Sequence, residues 1–141
     1  MLLNRQMRSS AFALGLLLLT VSPSLAARQK TLRNDAGKAQ ALGHPDMAAR
    51  IRAGDLRRYK IGPNGVKIVG AGGSTEIQTF APHDLHLSGD VIPAGSRVSM
   101  EPTHRGPWFK AWTPSDRRVR IDVQDLAALR RYMTDAVGEA P

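Results

Sequence analysis

The chain has 141 residues, no cysteine, and 20 basic against 12 acidic side chains, for a formal charge of +8. That length supports one domain with a modest core and excludes two comfortable ones. Without cysteine the chain has no disulfides, no thiol chemistry and no lipid anchor through an N-terminal cysteine, so packing alone must hold the fold.

Residues 1–26 carry the pattern of a secretory leader. Arg5 and Arg8 form a positive start, Ala11 to Val21 an apolar core, and Ser24-Leu25-Ala26 places small residues at the −3 and −1 positions of a cut before Ala27. The apolar core is roughly half the ~20 residues of a membrane span. Cleavage would remove 26 of the 141 residues and two of the 20 cations, leaving 115 residues at +6 with no transmembrane segment. The expected location is periplasmic or secreted. A basic exported chain meets anionic lipid head groups, acidic polymers and acidic protein faces, and export argues against nucleic acid as the partner.

Residues 27–59 read as a helical segment or basic arm. Lys30 to Leu42 is rich in Ala, Lys, Arg and Gln and stops at Gly43. Pro45 suits a first helical turn, and Met47, Ile51 and Leu56 make a thin apolar stripe ending near Gly54. Asp55 could cap a last short turn through Tyr59.

Residues 60–141 form a β-rich domain with a C-terminal helix. Asn64-Gly65 is a strong two-residue hairpin signal. Strands are expected at Val66–Val69, Ser74–Phe80, Leu85–Leu87, Val91–Pro93, Ser96–Glu101, Trp108–Thr113 and Arg117–Val123, with Pro102–Pro107 as a loop. Asp122 would cap the last helix, whose apolar stripe runs through Val123, Leu126, Leu129, Tyr132 or Met133, and Val137. The pattern predicts an α+β fold: N-terminal helical segments, a small antiparallel sheet or partly open β-barrel, and a closing C-terminal helix.

Chemistry-bearing motifs are few. His83 and His86 have a short spacing, with His104 as a third candidate metal ligand. In an extended segment, however, positions 83 and 86 point to opposite faces. There is no HExxH, no Gly-x-Ser-x-Gly, and Gly70-Ala71-Gly72-Gly73 lacks the Gly-Lys-Ser/Thr ending of a phosphate loop. No cofactor is expected, and a non-enzymatic role is favoured.

The better signal is Trp108-Phe109-Lys110-Ala111-Trp112. In a strand, Trp108, Lys110 and Trp112 share one face, and Phe109 and Ala111 the other. Two indoles flanking a cation could form a recognition platform, with Arg105, Arg118 and Arg120 supplying further charge. The same indoles could instead fill the core of a domain so poor in large side chains. The leading expectation is a small exported protein that recognises an envelope protein assembly, or an anionic glycan or other polymer, through this basic-aromatic β-face. An anionic membrane surface is a further partner. Two alternatives stand beside it: a metal-assisted hydrolase using the histidines, and a structural or inhibitory accessory protein with incidental charge.

Overall fold

The computed structural model describes residues 23–139. The leader expected over residues 1–26 lies outside the described residues as far as residue 22. The chain divides into two compact units, residues 1–31 and 32–141. The described part of the first, residues 23–31, is helical, and there the Thr31 hydroxyl donates to the Ala27 carbonyl. No helix among the described residues is long and apolar enough to cross a membrane.

The second unit is an α+β fold. Helices α1 (Pro23–Ala41, whose end belongs to this unit) and α2 (Pro45–Ala53) precede strands β1 (Arg58–Ile61), β2 (Gly65–Val69) and β3 (Thr75–Phe80). A two-stranded excursion, β4 (Leu85–His86) and β5 (Val91–Ile92), separates these from β6 (Arg97–Thr103) and β7 (Gly106–Trp112). A 3₁₀ turn at Val123–Asp125 leads into the closing helix α3 (Leu126–Ala136). The main sheet is antiparallel throughout, in the order β1-β2-β3-β6-β7. Its two edges do not meet, so the partly open barrel resolves as an open sheet.

Two apolar clusters lie on opposite faces of this sheet, as the alternation of its strands requires. Ile77, Val98, Phe109 and Ala111 point to one face, where they pack with Leu129, Met133 and Val137 of the C-terminal segment. Val66 and Ile68 point to the other, under Ala36 and Ala39 of α1 and Met47 and Ile51 of α2. The Tyr59 hydroxyl donates to the Asp35 carboxylate and fastens α1 to β1. Burial, reinforced by that carboxylate, pushes the Tyr59 pKa up to about 12.

Five local expectations need correction. Arg58 to Ile61 is a strand, not the end of a helical turn: the apolar residues Tyr59 and Ile61 alternate and pair with Ile68 and Val66. The Pro102–Pro107 loop shrinks to a tight turn at His104-Arg105, because Thr103 pairs with Gly106 and Pro102 with Pro107.

Arg117–Val123 is not a strand. Only Arg118 bridges to Trp112. The Val119 amide still donates to Ala111, but the pairing goes no further; the Arg120 amide, which points away from β7, donates to the Asp90 carboxylate at 3.3 Å and ties the segment to the β4–β5 excursion instead. Asp122 makes no capping bond to the last helix, since its carboxylate accepts from Arg120 Nε at 3.0 Å. The 3₁₀ turn then rotates Val123 outward, leaving it 85% exposed and outside the apolar stripe.

Candidate functional site

The α1/α2 layer covers the β1–β2 end of its face. Further across the same face, the side chains of β3, β6 and β7 are only partly covered. Register brings them into rows: Phe80–Arg97–Trp112, Gln78–Ser99–Lys110, and Glu101–Trp108. Each row is the polar or aromatic complement of the apolar positions one residue away, which face α3.

The parity of β7 therefore divides its side chains between two environments. Phe109 and Ala111 are buried in the α3 core. Trp108, Lys110 and Trp112 face the other way, with Trp108 49% exposed and the other two half-buried. Arg118 lies over the Trp112 ring, its guanidinium carbon 5.8 Å from the centroid, which suits cation–π attraction.

The six candidate recognition residues do not all converge. Trp108, Lys110 and Trp112 follow one another along one face of β7, and Arg118 lies over the Trp112 end. Arg105 sits in the β6–β7 turn, at the opposite end of β7 from Trp112 and about 20 Å away by strand rise. Arg120 lies beyond the Arg118 bridge and is held by Asp122. Charge on the face is also partly balanced. Lys110 pairs with Glu101 at 2.9 Å and Arg97 with Asp116 at 2.8 Å. The face is thus more aromatic and less basic than its sequence suggests.

A cleft of about 400 Å³ opens beside this face, between the α1–α2 turn and the sheet. Gln78, Ser99, Lys110 and Trp112 line it from the sheet, and His44, Pro45 and Asp46 from the turn. Gly43 makes that geometry possible. It has φ +89°, and a Cβ there would come within 2.9 Å of the Phe80 ring. The turn can therefore lie directly on β3, where the His44 ring stacks on Phe80 with centroids 5.1 Å apart.

His44 is only 3% exposed, and its Nε2 has no hydrogen-bond partner among the described residues. Burial holds its pKa below the usual histidine value, with the Gln78 side chain acting more weakly in the opposite direction. The imidazole is consequently neutral near pH 7, with one donor and one acceptor nitrogen.

The other histidines do not assemble into a metal site. His83 Nδ1 meets the Asp84 carbonyl, and its ring stands edge-on to Tyr132. His86 is on β4 and His104 in the β6–β7 turn, both exposed. Among the described residues no three His, Cys, Asp or Glu side chains are placed to hold an ion. The nearby Asp90 carboxylate is taken up structurally. Arg117 and the Val91 and Arg120 amides bond its carboxylate and hold its pKa below the ordinary value.

Sequence reasoning passed over His44, Gln78 and Ser99. Their signal was indirect: Gln78 and Ser99 are the polar neighbours of buried Ile77 and Val98, brought together only by the β3–β6 pairing, and His44 comes to them from the α1–α2 turn. No known protein family, curated protein or solved structure matches this chain.

Proposed function

We propose that this chain is a small exported, non-enzymatic protein, periplasmic or secreted, that recognises an anionic envelope glycan or polymer through the β7 face. The observation that carries the reading is the half-exposed Trp108, adjoining Lys110 and the Arg118-capped Trp112, on the side of the sheet opposite the α3 core. An exposed indole offers a flat apolar surface for the C–H face of a sugar ring. Arg118 and Arg105, which make no ion pair among the described residues, attract anionic substituents along the chain of such a polymer. The leader pattern of residues 1–26 supports the location.

The test is retention on immobilised lipopolysaccharide and on immobilised polygalacturonate. Binding is expected to weaken as salt is raised, because exposed charges are screened within roughly 8–10 Å at physiological ionic strength. The double variant Arg105→Glu/Arg118→Glu should elute earlier than the parent on at least one matrix. Retention indifferent to both salt and charge reversal would refute the proposal.

A further inference from the structure

We infer that the cleft beside His44 is a subsite for one uncharged pyranose ring, packed against Trp112 and hydrogen-bonded by His44, Gln78 and Ser99. The inference rests on the reading of the β7 face as a polymer-recognition surface, and it specifies which part of the polymer enters the fold. Three features of the cleft converge on this ligand chemistry.

The first is size and lining. About 400 Å³ is near the lower end of the range for small-ligand sites. The walls combine one indole with short neutral polar side chains, Gln78 and Ser99. A pyranose needs that combination, since its C–H face is apolar and its rim carries hydroxyls that must be partnered when they leave water.

The second is charge. The two cations of the cleft are already engaged, Lys110 by Glu101 and Arg97 by Asp116. Asp46, in the first turn of α2, already places a carboxylate at the helix end that would otherwise attract an anion. A phosphate or a uronate carboxyl would meet Glu101 and Asp46, whereas a neutral ring meets no such opposition. The anionic groups of the polymer would lie outside, near Arg118.

The third is the unpartnered Nε2 of His44. Leaving a polar atom buried and unmet costs the fold its hydration. The nitrogen is closed to solvent in the free protein, so a small rotation of the ring must admit the hydroxyl, which then serves it in either tautomer because it both donates and accepts. Stacking on Phe80 and the close turn at Gly43 hold the imidazole in the cleft wall.

The experiment is an NMR titration of the full mature protein, reading the His44 imidazole and Trp112 indole nitrogens. The probes are the methyl glycosides of glucose, galactose, mannose and N-acetylglucosamine, with inorganic phosphate as the anionic control. The expected result is saturable shifts at both residues with at least one glycoside, at a Kd of roughly millimolar order, and no saturable shift with phosphate. Ser99→Met, a substitution on the half-buried open face, should fill the cleft and weaken glycoside binding by about tenfold or more. Val123→Ala, exposed and outside the cleft, should leave it unchanged.

Silence at His44 and Trp112 with every glycoside, saturation by phosphate instead, or full binding by Ser99→Met would each overturn the subsite. Polymer retention on the two matrices, measured in parallel, separates this failure from failure of the wider reading. Retention without glycoside shifts removes the subsite alone. Glycoside shifts without retention leave the subsite standing and remove the polymer-binding surface.

Discussion

Trp108 and Phe109 are adjacent in sequence and opposite in environment, so truncating each to alanine separates stability from recognition. Phe109 is 6% exposed among Leu129, Met133 and Val98. Its removal deletes a buried ring from a packed core, for which the loss is about 3–5 kcal/mol. Trp108 is 49% exposed, so about half of its side-chain surface is out of water. An indole that buries up to ~250 Å² in full would there bury roughly 125 Å², or about 3 kcal/mol at ~25 cal/mol/Å². Residual structure in the unfolded chain and the surface kept by alanine reduce this to about 1–2 kcal/mol.

Urea denaturation followed by circular dichroism gives the two values, and retention on the polymer matrices gives the functional consequence. Phe109→Ala should lose at least about 1 kcal/mol more stability than Trp108→Ala. Trp108→Ala, still folded, should lose roughly tenfold or more in polymer affinity, as expected for truncation of an aromatic anchor. Equal destabilisation would mean that Trp108 is core. A stable Trp108→Ala with parental retention would mean that the exposed indole recognises nothing on these matrices. Either result refutes the reasoning.

Burial lowers the His44 pKa below its ordinary value of 6.5, so folding favours the neutral ring. The associated stability is complete above pH 6.5 and is lost as pH falls through the lowered folded value. The melting temperature should therefore drop between pH 8 and pH 5, with about 4 °C corresponding to ~1 kcal/mol in a domain of this size, and His44→Gln should flatten the profile. Asp90 and Asp125 do not interfere in that window. Both are held below their ordinary 3.8, Asp90 chiefly by Arg117 and Asp125 chiefly by the Ser88 hydroxyl, so their contributions persist above 3.8 and fade only in stronger acid. A pH-independent melting temperature in the parent protein would contradict the burial of His44. Two glycine substitutions should act with opposite signs in urea midpoints. Gly62→Ala drives a Cβ to 2.3 Å from the Val137 Cα, backbone that cannot yield without moving the end of α3, and should cost about 3 kcal/mol. Gly37→Ala meets nothing within 4 Å inside α1 and should gain roughly 0.5–1 kcal/mol.

Much of the architecture was legible because it depends on local patterns. Asn64-Gly65 marks the β1–β2 hairpin, and the Leu129–Met133–Val137 spacing marks the closing helix. Alternation in residues 108–112 correctly separates the two side-chain sets of β7. Which set faces water was not legible, since that is decided by where α3 and the α1–α2 layer dock. The strand expected at Arg117–Val123 failed for a related reason: contacts distant in sequence hold the segment, since Asp90, 30 residues earlier, bonds both the Arg117 side chain and the Arg120 amide.

The cleft was hidden more deeply, because none of its polar residues forms a motif in the chain. Ser99 and Lys110 become neighbours through the β6–β7 register, and Gln78 joins them only because β3 pairs with β6 across the β4–β5 excursion. His44 then arrives from a helix turn whose close approach depends on the single missing Cβ at Gly43. Gly43→Ala should consequently displace the turn or the Phe80 ring as well as strain the backbone. On this logic it should impair glycoside binding more than Trp108→Ala does, although residue 43 offers no side-chain functional group. The ordering of those two variants in the glycoside titration tests whether the turn geometry, or only the exposed indole, makes the site.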